Sequence, residues 1–309
     1  MAEVPEGTNV SLIDVAPRDG LQNERTVVST KTKLELIGRL LEAGLRRIEV
    51  ASFVNPQRVP QMADAEALCA ALPQVPDARY AGLVLNRRGF ERAAATGRLH
   101  EISVVVPATD AFTARNQNTT VEDGVALAVE IGREAGRAGL RCTPTIAVAF
   151  GCPFEGAVDE ERVAAIAARL AQTEPSELIL ADTIGVATPR QVASVIRAVR
   201  QRIGVSIPLR GHFHNTRNTA IANVYAAFEA GVTRFDASVG GVGGCPFAPA
   251  ATGNVATEDV WYLFDRMDCA TGVALQELVD TALWLGERLG RQLPGMVSRA
   301  GGFPQPRRA

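Results

Sequence analysis

Lysine is almost missing from this sequence. Lys31 and Lys33 are the only two among 32 basic residues, and arginine carries the rest. Paired cysteines are missing too. Cys69, Cys142, Cys152, Cys245 and Cys269 form no CxxC pair and no zinc-ligand spacing, which excludes a zinc–thiolate centre of the usual kind. An odd, scattered set points to a reducing compartment. There is no excess of one charge: the net value of -2 excludes a strong electrostatic pull toward nucleic acid or an anionic membrane. No apolar run reaches the roughly 18 residues of a membrane-spanning helix. The first residues lack a basic start followed by an apolar stretch, so the expected location is the cytoplasm. Finally, no GxGxxG follows the first strand candidate, which argues against an open dinucleotide-binding sheet.

What is present is a repeating pattern. In 309 residues, 47% are hydrophobic and 21% charged, a globular balance large enough to bury a core unaided. Short β-branched runs alternate with longer Ala/Leu/Arg/Glu segments. The strand candidates are 10–16, 47–53, 80–85, 101–107, 141–150, 177–182, 208–214 and 234–239. Most are near-continuous apolar runs, as strands covered on both faces require. Helix candidates lie at 30–43, 61–71, 87–96, 120–138, 159–173, 188–202 and 217–230, with another at 257–267 after the last strand. Ser29 and the pair Thr188-Pro189 read as helix starts. Gly44, Gly97, Gly139 and Gly231 read as helix stops. Eight such units predict a single-domain TIM (β/α)8 barrel, with a doubly wound sheet as the alternative. Residues 276–289 predict an additional C-terminal helix. The barrel core is expected over about 10–289, and 298–309 has little to bury and reads as a loose tail.

In a barrel of this kind the chemistry sits at the C-terminal strand ends. Arg18 and Asp19 follow the first strand, Glu49 lies in the second and Asp182 ends the sixth. His212 and His214 lie in the seventh strand. Strand residues i and i+2 face one side, so these imidazoles project together. They read either as ligands of a divalent cation or as two core histidines satisfied by hydrogen bonds. Asp19 adds a charged oxygen and Asn254 an amide oxygen, a mixed set suited to Mg2+ or Mn2+. Arg18 reads either as a rim ion pair to Glu49 or Asp182, or as a stabiliser of a developing enolate. Cys245 sits in the glycine-rich loop 240–246, where a thiol can close over substrate. Cys152 and His100 read as structural residues. Arg115, Asn116 and Asn118 fall in an expected loop, where they read either as substrate contacts or as solvated loop residues.

These segments also carry a resemblance. Residues 14–24 (DVAPRDGLQNE), 48–53 (IEVASF), 59–62 (VPQM), 151–156 (GCPFEG), 181–185 (ADTIG) and 243–247 (GGCPF), with 251–259, resemble the motifs of 3-hydroxy-3-methylglutaryl-CoA lyases. The likeness runs from about Val10 to Leu289. It implies that Asp19, His212, His214 and Asn254 bind a divalent metal. It also implies that Arg18 contacts the thioester oxygen, that Cys245 is the catalytic thiol, and that Gln22, Glu49 and Asp182 are polar active-site groups. The implied reaction is cleavage of 3-hydroxy-3-methylglutaryl-CoA to acetyl-CoA and acetoacetate. Asp182, His212 or a metal-bound water are the candidate bases. Alternatives are a longer-branched glutaryl-CoA or citramalyl-type thioester, a condensing synthase, or a non-catalytic barrel. The implied partner is an acyl-CoA substrate, and a homodimer or higher homo-oligomer is expected. One stretch departs from the family pattern. Asn215-Thr216-Arg217-Asn218 stands where Asp-Thr-Tyr-Gly is usual, which makes one acidic group neutral, adds a positive charge and replaces a glycine.

Overall fold

The computed structural model describes residues 7–244 and 253–303. Eight parallel strands close into a barrel in chain order: β1 (Ser11–Asp14), β2 (Arg47–Ser52), β3 (Arg79–Val84), β4 (Glu101–Pro107), β5 (Arg141–Ala147), β6 (Leu178–Asp182), β7 (Leu209–Phe213) and β8 (Arg234–Ala237). All eight fall within a residue or so of the predicted starts. The ring shuts where β1 meets β8, from Ser11 opposite Arg234 to Asp14 opposite Ala237. The strands are buried almost throughout, which is why they read as apolar runs rather than alternating ones.

The surrounding helices are α1 (Thr30–Glu42), α2 (Ala65–Ala70), α3 (Arg87–Ala95), α4 (Asp110–Gln117), α5 (Val121–Arg137), α6 (Glu160–Leu170), α7 (Pro189–Ile203), α8 (Ala220–Glu229), α9 (Thr257–Asp265), α10 (Leu275–Leu289) and α11 (Val297–Ala300). The Ser29 hydroxyl accepts from the Thr32 N–H at 3.2 Å and so caps α1. Leu36, Ile37 and Leu40 of that helix are fully buried against the barrel. Thr188 precedes Pro189 as expected, but its side chain makes no cap bond.

Several local expectations needed correction. β1 stops at Asp14, and Ala16–Gly20 winds into one wide helical turn. The expected helix over 61–71 is a tight turn at Pro60–Met62 followed by α2. α4 occupies what read as a loop. The segment after β7 starts its helix only at Ala220, because Asn218 holds a left-handed conformation at φ 57. The expected loose tail is held down at its start. The Met296 and Val297 N–H groups donate to Asp259 of α9, and Ser298 is buried. Among the described residues no helix is long and apolar enough to cross a membrane.

Candidate metal centre and active site

Strand parity decides which side chains enter the barrel. On β6, Ile179, Ala181 and Thr183 line the central cavity, so Asp182 between them turns the other way. Its two oxygens accept from the N–H groups of Val186 (2.9 Å) and Ala187 (3.0 Å), which ties down the loop before α7. Asp182 thus holds that loop from outside the cavity lining, within electrostatic reach of His212 and His214. Burial pushes its pKa up in spite of those bonds.

The other predicted groups converge. Arg18 and Asp19 sit on the wide turn after β1, the kind of local over-wide helix that often marks functional sites. Arg18 pairs with Glu49 through Nε at 2.5 Å and through Nη2, and with Asp19 through Nη1 at 2.5 Å. Its rim ion pair and its place in the cavity thus coexist. The β2–β3 register slips between Glu49 and Ala51, a bulge that re-aims the strand at the point where Glu49 enters the cavity. Burial holds the Glu49 carboxyl above its ordinary value against the pull of Arg18. Gln22 lines the cavity and accepts from the Ser52 hydroxyl at 2.8 Å.

Across from Arg18, the Nε2 atoms of His212 and His214 lie 3.1 Å apart. Asp19 Oδ2 is 3.9 Å from the first and 3.5 Å from the second. These three ligand atoms lie within 4.8 Å of one another. Asn254 closes the group from the far side of the glycine-rich loop, with its Nδ2 2.8 Å from Asp19 Oδ2. A half-turn of that amide presents Oδ1 instead. Burial alone would raise the Asp19 pKa, but Arg18 and the two histidines outweigh it and hold the carboxyl well below its usual range. A buried, ionised carboxylate facing two ring nitrogens is a donor set that suits a divalent cation.

Further cavity residues escaped the sequence reading. Asp236 lines the cavity beside His212, with Oδ2 3.2 Å from Nδ1. Asn23 lines it too and donates to the Gly244 carbonyl at 3.0 Å, at the root of the loop that bears Cys245. Cys245 itself lies outside the described residues. Phe112 reaches the cavity from α4, and so does Asn116, which the sequence had offered as a substrate contact. Asn118, rather than lining a loop, ends α4 in a left-handed conformation. Arg115 stacks 3.9 Å over the Phe154 ring. Cys152 is buried and accepts from the Thr109 hydroxyl at 3.1 Å, a packing role. His100 accepts from the Tyr80 N–H at 3.2 Å at the other end of the barrel. The departures at 215–218 have local partners. Asn215 Oδ1 accepts from the Ala220 N–H, and Arg217 donates to the Ile184 and Gly185 carbonyls. The added charge of Arg217 is thus spent on backbone carbonyls beside the α7 loop and does not line the cavity. A signal for Asp236 was present: Arg234-x-Asp236 repeats the parity of Arg210-x-His212 on the neighbouring strand.

The HMGL-like family profile matches residues 9–284. An (R)-citramalyl-CoA lyase of Chloroflexus aurantiacus is 44% identical over 308 residues, covering 96% of each chain. A hydroxymethylglutaryl-CoA lyase of Pseudomonas mevalonii is 41% identical, over 91% of this chain and 93% of that one. The crystal structure of hydroxymethylglutaryl-CoA lyase from Pseudomonas aeruginosa superposes with a TM-score of 0.91 at 40% identity, covering 96% of this chain and 98% of the other. With the barrel and nearly the full length shared, the chain belongs to the HMGL-like family and is a carbon–carbon lyase.

Proposed function

We propose that this enzyme performs a metal-dependent retro-Claisen cleavage of a branched 3-hydroxyacyl-CoA that carries a free carboxylate. Its substrate on this reading is 3-hydroxy-3-methylglutaryl-CoA, and its products are acetyl-CoA and acetoacetate. One observation carries the reading: the paired Nε2 atoms of His212 and His214 and the Asp19 carboxylate converge in the same cavity as the Arg18–Glu49 pair. Asp19, His212, His214 and Asn254 would hold Mg2+ or Mn2+. A cation bound there supplies Lewis-acid polarisation of the substrate hydroxyl.

The remaining work falls to the side chains. The tertiary hydroxyl loses its proton as the bond between carbons 2 and 3 breaks. The bonding electron pair passes to the thioester carbonyl and gives an enolate. Arg18, fixed by Glu49, places its guanidinium where that negative charge develops. Cys245 returns a proton to carbon 2 as general acid. The proton acceptor is a cavity group; His212 and Glu49 line the cavity, whereas the Asp182 carboxyl does not. Gln22, held by Ser52, orients the acyl chain.

A second reading is favoured by the 44% identity to a citramalyl-CoA lyase. That substrate has one methylene fewer and would give pyruvate beside acetyl-CoA. A panel of both thioesters, assayed for acetoacetate, pyruvate and acetyl-CoA with and without chelator, separates the two. Acetoacetate from the methylglutaryl ester, lost with chelator, is the expected result. Pyruvate alone selects the second reading, and turnover unchanged by chelator sinks the metal role. A cytoplasmic homodimer is part of the same reading. It rests on the family resemblance and on scattered cysteines, of which Cys69, Cys142, Cys152 and Cys269 are free and buried. Light scattering measures the assembly.

A further inference from the structure

His212 is oriented from beneath. It pairs directly with Asp236 across β7 and β8, and its Nδ1 lies 3.2 Å from Asp236 Oδ2. The other Asp236 oxygen accepts from Arg210 Nη1 at 3.1 Å. Arg210 is 3% exposed and sits two residues before His212, on the same inward parity. Its Nε donates to Glu177 Oε2 at 2.8 Å and its Nη2 to Glu101 Oε1 at 2.6 Å. Arg47 bridges the same two glutamates from below, at 2.7 Å and 2.9 Å. The result is a rigid ladder from the barrel floor to the candidate cation site.

We infer that Asp236 is a positioning residue for the metal centre, and that Arg210, braced by Glu101 and Glu177, holds Asp236 in place. This rests on reading Asp19, His212 and His214 as cation ligands. A neutral imidazole carries one N–H. A carboxylate at Nδ1 keeps the proton there and leaves the Nε2 lone pair facing His214 Nε2 and Asp19. Arg210 is always charged and always a donor, so it keeps Asp236 an acceptor. His214 has no counterpart to this brace: its Nδ1 is buried without a hydrogen-bond partner among the described residues. His212 is thus the ligand whose tautomer the fold dictates, as second-shell carboxylates do for metal-bound histidines.

The substitution Asp236→Asn makes the idea sharp. An asparagine has one acceptor oxygen, and the obligate donor Arg210 claims it. The amide NH2 then faces His212 Nδ1, which must become an acceptor, and the ring proton moves to Nε2. There it points into the cation site. The chain has only three histidines, so nitrogen NMR of the imidazoles in chelator-treated, full-length protein resolves each. Wild type is expected in the Nδ1–H form at His212, and Asp236→Asn in the Nε2–H form. Calorimetric titration with Mn2+ is expected to show binding about 10–100-fold weaker in the variant. Arg210→Lys, which keeps the charge but loses the fork, should weaken Mn2+ binding less. Glu101→Gln, which keeps the volume, probes the same step should Arg210→Lys not fold. An Asp236→Asn protein that keeps the Nδ1–H form and binds Mn2+ as wild type does overturns the proposal. Unchanged tautomer and affinity in the Arg210 and Glu101 variants overturn the role of the lower ladder. Wild type that holds the Nδ1–H form yet takes up no Mn2+ overturns the cation reading instead and leaves the hydrogen-bond role standing.

Discussion

At the scale of single residues, one backbone torsion decides where α8 begins. Asn218 occupies a left-handed conformation at φ 57, the position where the family resemblance implied a glycine. Asparagine is among the few side chains that tolerate this region, so the departure costs little. Asn218→Ala is expected to destabilise the fold by about 1 kcal/mol, while Asn218→Gly should be near neutral; urea unfolding measures both. Asn215, in the same stretch, spends its amide oxygen on the Ala220 N–H. Both residues shape the entry to α8. A second residue-scale prediction concerns Glu258. It is fully buried, accepts from the Gly240 N–H at 3.0 Å, and burial raises its pKa to about 8. A raised carboxyl binds its proton more tightly folded than unfolded. Its stabilising contribution is therefore complete below the unfolded value near 4.5 and declines as pH rises to about 8. At about 1.4 kcal/mol per unit, the decline is on the order of several kcal/mol. Glu258→Gln should flatten the fall in thermal midpoint between pH 5 and 8 relative to wild type. An equal slope in both proteins would remove Glu258 as its cause. Cys245→Ala is expected to keep Mn2+ affinity and lose most turnover; normal turnover would refute the general-acid role.

At the scale of elements, α4 shows what periodicity misses. Asp110–Gln117 is two turns long and buries only Phe112 and Thr113, too little apolar spacing to register as a helix. Its position comes from partners far along the chain. The Ala111 N–H donates to Glu155, Arg162 pairs with Asp110, and Arg115 covers Phe154. The helix thereby becomes a wall of the cavity, with Asn116 facing inward. Loss of one substrate hydrogen bond is worth about 0.5–1.5 kcal/mol. Asn116→Ala should accordingly raise KM for the thioester by roughly 2–10-fold, with the thermal midpoint unmoved. An unaltered KM would exclude contact between Asn116 and substrate. The longer helices were legible because their apolar faces recur at helical spacing and because Ser29 and Thr120 cap them with hydroxyls.

At the scale of the whole molecule, the barrel interior is layered by charge. The floor is an ion-pair network of Arg47, Glu101, Glu177 and Arg210; the candidate cation site of Asp19, His212 and His214 lies above it. Buried ion pairs seldom add net stability, but breaking one leaves a stranded charge. Arg210→Met is expected to cost about 3–5 kcal/mol in urea unfolding. A loss below 1 kcal/mol would show that the network relaxes around the gap. Cation binding should itself stabilise the barrel. At a free Mn2+ concentration near 100 times Kd the gain is about 2.7 kcal/mol. A rise in thermal midpoint reversed by chelator is the expected signature, and its absence in His212→Ala ties it to this site.

The sequence by itself determined the barrel, because eight buried strands and their covering helices are short-range patterns written in apolar spacing, caps and stops. It also determined most of the polar cluster, since Arg18, Asp19, Glu49, His212, His214 and Asn254 stand at strand ends or in the closing loops. Only the tertiary structure decided which way each of those groups faces. Strand parity turned Asp182 out of the cavity and Asp236 into it, and a one-residue slip after Glu49 re-aimed that strand. The ladder from Glu101 and Glu177 through Arg210 and Asp236 to His212 joins β4, β7, β8 and the entry to β6 across more than a hundred residues. Hydrogen bonds of that kind depend on how the closed ring sets the register of distant strands, and no local pattern along the chain records it.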